Sequence, residues 1–243
     1  MASKSEDMQY LDAGLSVIVV GASGDLAKKK TFPSLLHLFA DGLLPKDFVI
    51  WGYARSNLGD EGLRDRIRPY LLKLKHSEEI VESFLSIVRY ENGASYGDLE
   101  GWAKIKINIE AYESSKSTEY KSFNRLFYFA IVPAVFAETA SAIKKTCMQD
   151  EEKGWTRLIV EKPFGRDLES FEELNKSLSS QFTEDHLYRI DHYLGKEMVQ
   201  NLTVIRFSNV WTERIWNADN VKMIILTFKE PFGTEGRGGY FDQ

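Results

Sequence analysis

The chain has 243 residues, of which 43% are hydrophobic and 28% charged, a balance that excludes an intrinsically disordered protein. Its net charge of −5 argues against nonspecific nucleic-acid binding. The single cysteine, Cys147, excludes an internal disulfide and fits a reducing compartment, and the sequence has no zinc-ligand spacing.

The length allows one large domain, or one domain and part of another. Residues 1–13 read as a flexible tail. Met1–Asp7 has no apolar run of the signal-peptide kind and is too acidic for a transit peptide. No apolar stretch approaches the ~18 residues of a membrane span. The expectation is therefore cytoplasmic, with no membrane segment, nucleic-acid partner or metal.

Residues 15–20 are a short apolar run rich in β-branched side chains, which predicts a buried parallel strand. Gly21, Ala22, Ser23, Gly24, Asp25, Leu26, Ala27 and Lys28 follow at once, and helical apolar spacing runs over 26–40. Strand, glycine turn and helix are the context of a dinucleotide site. Gly21 makes the tight turn, Gly24 lets the backbone approach a pyrophosphate, and the helix N-terminus supplies N–H groups and positive dipole. The pattern is GxxGxxA, not GxGxxG, so the string alone also fits a glycine turn without a ligand.

A second strand is predicted at 48–52, running into Tyr53, Ala54, Arg55 and Ser56. An NAD site usually ends this strand on a carboxylate that grips the ribose 2′-hydroxyl, whereas an arginine suits a 2′-phosphate. Arg55 thus favours NADP, although an ordinary surface arginine reads the same way. Further strands are predicted at 86–90, 126–131 and 157–160, and helices at 59–74, 77–85, 99–112, 133–145 and 168–178, with loops at 93–97 and 151–154. Alternating strands and helices predict an α/β fold with a Rossmann-type, doubly wound parallel sheet. The strand at 157–160 delivers Glu161 and Lys162 to its carboxyl end, where ligands bind in such sheets, and Pro163 stops it. Lys162 there can meet a sugar hydroxyl or the nicotinamide.

A domain boundary is predicted near 165, giving a dinucleotide domain at 14–165. Residues 166–243 then begin an α+β substrate domain with a mostly antiparallel sheet, its first strand at 221–228. Residues 188–197, YRIDHYLGKE, carry four kinds of polar group within six positions. His192 and Tyr193 can donate hydrogen bonds, Lys196 is a point charge, and Asp191 can hold an imidazole. That mixture suits a phosphorylated substrate with a proton to remove. Taken alone, the decapeptide is also compatible with a solvated helix start.

The strings GASGDLAKKK, YARS, EKPFGRDL, RIDHYLGKE and TFKEPFGTEGRGGYFD, in that order, resemble the glucose-6-phosphate dehydrogenase family from about Leu15 to the last residue. The resemblance implies oxidation of D-glucose 6-phosphate at C1 by NADP⁺, giving the 6-phosphoglucono-lactone and NADPH, the first step of the oxidative pentose phosphate pathway. It implies that Gly21 to Lys28 bind the pyrophosphate, Arg55 faces the 2′-phosphate, and Lys162 touches both sugar and cofactor. It also implies that His192, Tyr193 and Lys196 hold the substrate phosphate, Glu230 a sugar hydroxyl, and Asp191 orients the catalytic base. A homodimer or homotetramer is expected for the complete enzyme.

Two departures stand out. Phe136 occupies a place where the family often has a tyrosine near the cofactor. The family's general base is a histidine a short distance beyond the GGYFD string, and none of the four histidines here falls at that position. The chain as given is therefore expected to be inactive or nearly so. The alternative reading is a non-catalytic NADP-binding half-enzyme, or a partner of the full-length one. Tyr112 and Lys116 have the Tyr-x-x-x-Lys spacing of short-chain dehydrogenases, but their polar surroundings and closeness to the glycine turn mark the spacing as chance.

Overall fold

The computed structural model describes residues 13–116, 122–227, 229 and 233, with the side chains of His192 and Leu194 outside that description. Two compact units result, the first ending at Ile190 and the second starting at Asp191.

The first unit is built on a six-stranded sheet of β1 (Gly14–Val20), β2 (Phe48–Ala54), β3 (Val88–Asn92), β4 (Phe123–Phe129), β5 (Thr156–Glu161) and β6 (Leu187–Ile190). The strand order is β3-β2-β1-β4-β5-β6, and every pairing is parallel. This is the doubly wound arrangement expected, with its order reversing between β1 and β4. The helices are α1 (Phe32–Ala40), α2 (Gly59–Leu71), α3 (Glu78–Ser86), α4 (Leu99–Lys116), α5 (Phe136–Thr146) and α6 (Leu168–Ser179). Alternate residues of β1 go to opposite faces, as the pleat requires. Val17 and Val19 pack with Phe32, Leu36, Ile67 and Phe84, while Ile18 and Val20 pack with Trp102, Phe136 and Ile143.

Four expectations change. The helix predicted as one piece over 26–40 contains a π-helical segment, Ala27–Thr31, before α1. Pro33 cannot donate the usual backbone bond, and the Phe32 N–H reaches back to Ala27 O, widening the turn. β6 was not anticipated, because its four residues lie inside the polar decapeptide and a strand this short has little periodicity to read. In the second unit, α7 (Glu197–Ser208) and α8 (Val210–Ile215) were likewise not anticipated. Their apolar residues, among them Met198, Leu202, Phe207 and Trp211, are exposed and form no single stripe. The strand expected at 221–228 does not form over residues 221–227, which are exposed and have no regular structure; Phe228 lies outside the described residues. A strand needs a neighbour to take its backbone hydrogen bonds, and among the described residues none is paired with this segment. Among the described residues no helix is long and apolar enough to cross a membrane.

The amino-terminal end of the sheet is closed by a buried ion pair. Arg125 on β4 donates from Nε and Nη2 to Glu113 of α4 at 2.9 and 2.6 Å, and from Nη1 to Cys147 O at 3.0 Å. Gln149 Nε2, at 3.2 Å, adds a further donor to the Glu113 carboxylate. The charge is thus fork-paired and hydrogen-bonded, which is how a buried guanidinium is tolerated. Tyr112 and Lys116 flank Glu113 on the last turn of α4. They therefore lie at the end of the sheet opposite the glycine turn, in keeping with a chance spacing.

Candidate active site

At the carboxyl end of β1 the chain turns through Gly21 with φ +85°, a conformation that side-chain-bearing residues rarely adopt. The Gly21 N–H donates to Tyr53 O at 2.7 Å, and the Ala130 N–H beyond β4 donates to Val20 O at 2.8 Å, so the turn is pinned between two neighbouring strands. A Cβ on Gly21 would fall inside contact distance of the Ala130 carbonyl oxygen and of Ile131 Cγ2. Gly24 donates its N–H to Gly21 O at 2.9 Å, and a Cβ there would sit 3.1 Å from that same oxygen. The turn thus lies at the switch point of the sheet, with no Cβ at Gly21 or Gly24, the arrangement that lets backbone approach a phosphate closely. The helix that starts immediately after it presents its first N–H groups on that side. Asp25 is exposed and binds Lys28 Nζ at 2.6 Å and Lys29 Nζ at 2.9 Å. Hydrogen bonds from these two lysines lower its pKa to about 2.

At the end of β2, Arg55 is exposed one residue past the strand, and its guanidinium lies 5.6 Å from the centre of the Tyr96 ring. Ser56 stands beside it with Oγ 3.3 Å from Ser23 Oγ of the glycine turn. Arg55 and the turn are thereby brought to one edge. Tyr96 was not singled out from sequence, since it sits in the 93–97 loop, 41 positions from its partner, and no local pattern marks it. That loop is held by several bonds. Asp98 Oδ2 accepts from Ala94 N at 2.8 Å, Tyr53 Oη donates to Ser95 O at 3.2 Å, and Trp102 Nε1 donates to Tyr96 O at 2.8 Å. Backbone N–H bonds to its carboxyl, that of Ala94 first and those of Gly101 and Glu100 after it, hold Asp98 below its usual range. Burial raises the Tyr96 phenol pKa, with the nearby Arg55 charge opposing it.

β5 ends on Glu161, and half-buried Lys162 follows, joined to Pro163 by a cis peptide. Tyr128 of β4 donates its hydroxyl to the Glu161 carboxylate, a contact the sequence reading missed. Burial first, and then that carboxylate, push the Tyr128 phenol well above its ordinary pKa. Phe136, by contrast, is fully buried at the start of α5 and packs on Phe129 with ring centres 5.5 Å apart. It is a core residue in the fold.

In the second unit Asp191, the residue after β6, caps a 3₁₀ turn over His192–Gly195, its Oδ1 accepting from Tyr193 N at 3.0 Å. Lys196 Nζ lies 3.8 Å from the centre of the Tyr193 ring. Asp191, Tyr193 and Lys196 are therefore gathered into one turn of chain. Glu230 lies outside the described residues.

The strand order, the glycine turn at the switch point and the helix that follows it define a Rossmann-type dinucleotide-binding fold. The model for the glucose-6-phosphate dehydrogenase NAD-binding domain matches residues 18–201, and that for the C-terminal domain matches residues 203–243. The chain belongs to the glucose-6-phosphate dehydrogenase family. It is 50% identical over 233 residues to the Arabidopsis thaliana protein named glucose-6-phosphate 1-dehydrogenase 6, cytoplasmic, covering 94% of this chain and 45% of that one. With the Saccharomyces cerevisiae glucose-6-phosphate 1-dehydrogenase it shares 50% identity over 242 residues, covering 98% and 47%. A solved glucose-6-phosphate dehydrogenase in complex with glucose 6-phosphate superposes with a TM-score of 0.84 at 44% identity, over 100% of this chain and 48% of that one. The Mycobacterium avium enzyme superposes at 0.74 with 29% identity, over 95% and 48%. The chain thus spans about half the length of these relatives.

Proposed function

We propose that the chain supplies the NADP-binding and substrate-phosphate-binding parts of an enzyme that oxidises D-glucose 6-phosphate at C1. The observation that carries this reading is the glycine turn at the switch point with Arg55, not a carboxylate, at the end of β2. NADP⁺ supplies the hydride acceptor, and the C1 hydroxyl gives its proton to a base, leaving the lactone. The turn and helix start of residues 21–28 hold the pyrophosphate, and Arg55, backed by Tyr96, pairs with the 2′-phosphate. Lys162 contacts the sugar and the nicotinamide end. His192, Tyr193 and Lys196 hold the sugar phosphate, Glu230 a sugar hydroxyl, and Asp191 orients the base. Residues 14–165 are the cofactor-binding domain and 166–243 lead into the substrate domain, after a tail at 1–13. A homodimer or homotetramer in the cytoplasm is the expected setting.

The test is calorimetric. The protein is titrated with NADP⁺ and NAD⁺, and then with glucose 6-phosphate and glucose, as wild type and as Lys196→Ala. Tighter binding of NADP⁺, and a Lys196→Ala loss confined to the phosphorylated sugar, are expected, since only that sugar loses a charge-assisted bond. Equal affinity for both nucleotides, or equal loss for both sugars, refutes the assignment.

A further inference from the structure

Away from the dinucleotide edge, two histidines that lie 39 positions apart in sequence meet at the surface. His37 is exposed in the last turn of α1, and half-exposed His76 lies in the linker between α2 and α3. His76 Nε2 and His37 Nδ1 are 2.8 Å apart, with ring centres 4.8 Å apart and planes inclined by 59°. In such a contact one ring donates and the other accepts, so the pair already holds at least one nitrogen lone pair in the shared space.

We propose that the His37–His76 pair binds a borderline divalent transition-metal ion of the Zn²⁺ or Cu²⁺ type and thereby clips α1 to the α2–α3 linker. Neutral imidazole nitrogen is the preferred donor for ions of this class, whereas Mg²⁺ and Ca²⁺ call for oxygen ligands. Two nitrogens held at ~2.0–2.1 Å by a tetrahedral ion stand roughly 3.3 Å apart, about half an ångström wider than the present contact. Small rotations of two surface rings provide that opening. A proton shift to the donor ring's other nitrogen frees its lone pair, so that both rings can ligate the ion as imidazoles.

Among the described residues no group of three His, Cys, Asp or Glu side chains is placed to hold a metal. The site therefore offers two protein ligands and leaves the remaining positions to water, an open arrangement of modest affinity. Its effect comes from what the ligands are attached to. The pair exists only when α1 and the linker are in their native places, so an ion that binds it stabilises the folded unit by mass action. α1 continues the helix that begins at the glycine turn, so the clip restrains the element that positions the turn.

The experiment uses the 243-residue chain and ZnCl₂ as the probe, read by calorimetric titration and by Tm with and without the ion. Binding of one Zn²⁺ at the pair and a rise in Tm are expected. His37→Gln and His76→Gln should each weaken binding by roughly tenfold or more and remove the rise. His186→Gln, at a surface histidine whose partner is Thr183, should change neither, and MgCl₂ should give no response. Circular dichroism confirms that the glutamine variants stay folded. Zn²⁺ affinity unchanged in both His37→Gln and His76→Gln, or an equal loss in His186→Gln, overturns the proposal. Neither histidine touches the glycine turn or Arg55, so the result stands apart from the nucleotide titrations.

Discussion

Removal of the Arg55 guanidinium is the most direct probe of nucleotide choice. Hydrogen bonds to a charged group are worth about 1.5–3 kcal/mol, which corresponds to roughly 10–150-fold in Kd. Arg55→Ala should therefore weaken NADP⁺ by that factor and leave NAD⁺, which lacks the 2′-phosphate, almost unchanged. Tyr96 sits 5.6 Å from the same guanidinium, and a partly exposed cation–π contact is worth about 0.5–1 kcal/mol. Tyr96→Ala should accordingly weaken NADP⁺ by only about 2–5-fold, by freeing the arginine side chain. If Tyr96 acts through Arg55, its effect disappears once Arg55 is gone, and the double variant should match Arg55→Ala within ~0.5 kcal/mol. Isothermal titration of the four proteins with both nucleotides measures every side of this cycle. Equal losses of NADP⁺ and NAD⁺ in Arg55→Ala would refute the 2′-phosphate assignment. A loss of NAD⁺ in Tyr96→Ala would show instead that the ring touches the nucleotide directly.

Gly21→Ala should lower stability by at least ~1–2 kcal/mol from its left-handed backbone alone, with more from the clash against Ala130 O, and should abolish nucleotide binding; denaturant melts and the same titration check both. Arg125→Ala strands the Glu113 carboxylate in the buried amino-terminal end of the sheet and should cost about 3–5 kcal/mol, whereas an exposed pair such as Lys106–Glu110 should cost under ~1 kcal/mol; a change in the denaturation midpoint reads the contrast. Burial raises the pKa of Tyr90 to about 12 and moves Tyr53 and Tyr128 the same way. Folded pKa values above the unfolded value of ~10 mean a stabilisation that is full below pH ~10 and is lost as pH rises through 12. Tm should therefore fall across that window as tyrosinate absorbance rises, and a flat Tm to pH 12 would contradict the burial.

The parts of the site that could be read in the sequence are those made by neighbours along the chain. A run of β-branched residues, a glycine at the turn and apolar helical spacing placed β1, the turn and the helix after it. The same local logic put Arg55 at the end of β2 and Lys162 at the end of β5. The decapeptide, by contrast, was read for its chemistry and hid a strand, because β6 has only four residues and leaves Tyr188 exposed beside half-buried Arg189 and Ile190. The apolar run at 221–227 was read as a strand from composition alone, yet strand propensity is expressed only where a neighbour completes the ladder.

By itself, then, the sequence determined the alternation of strands and helices from β1 to α6, the backbone freedom required at Gly21, and the sign of the charge presented at the end of β2. Each depends on residues within a few positions of one another, where periodicity and sterics act directly. The tertiary structure alone decided that Tyr96 faces Arg55, that Tyr128 on β4 reaches Glu161 on the neighbouring β5, that Arg125 closes on Glu113, and that His37 meets His76. Most of these pairs lie tens of positions apart, and even the 12 between Glu113 and Arg125 join two different elements, α4 and β4. What joins them is the packing of helices on a twisted parallel sheet, because contact there is fixed by burying both faces of the sheet at once and not by any local pattern in the chain.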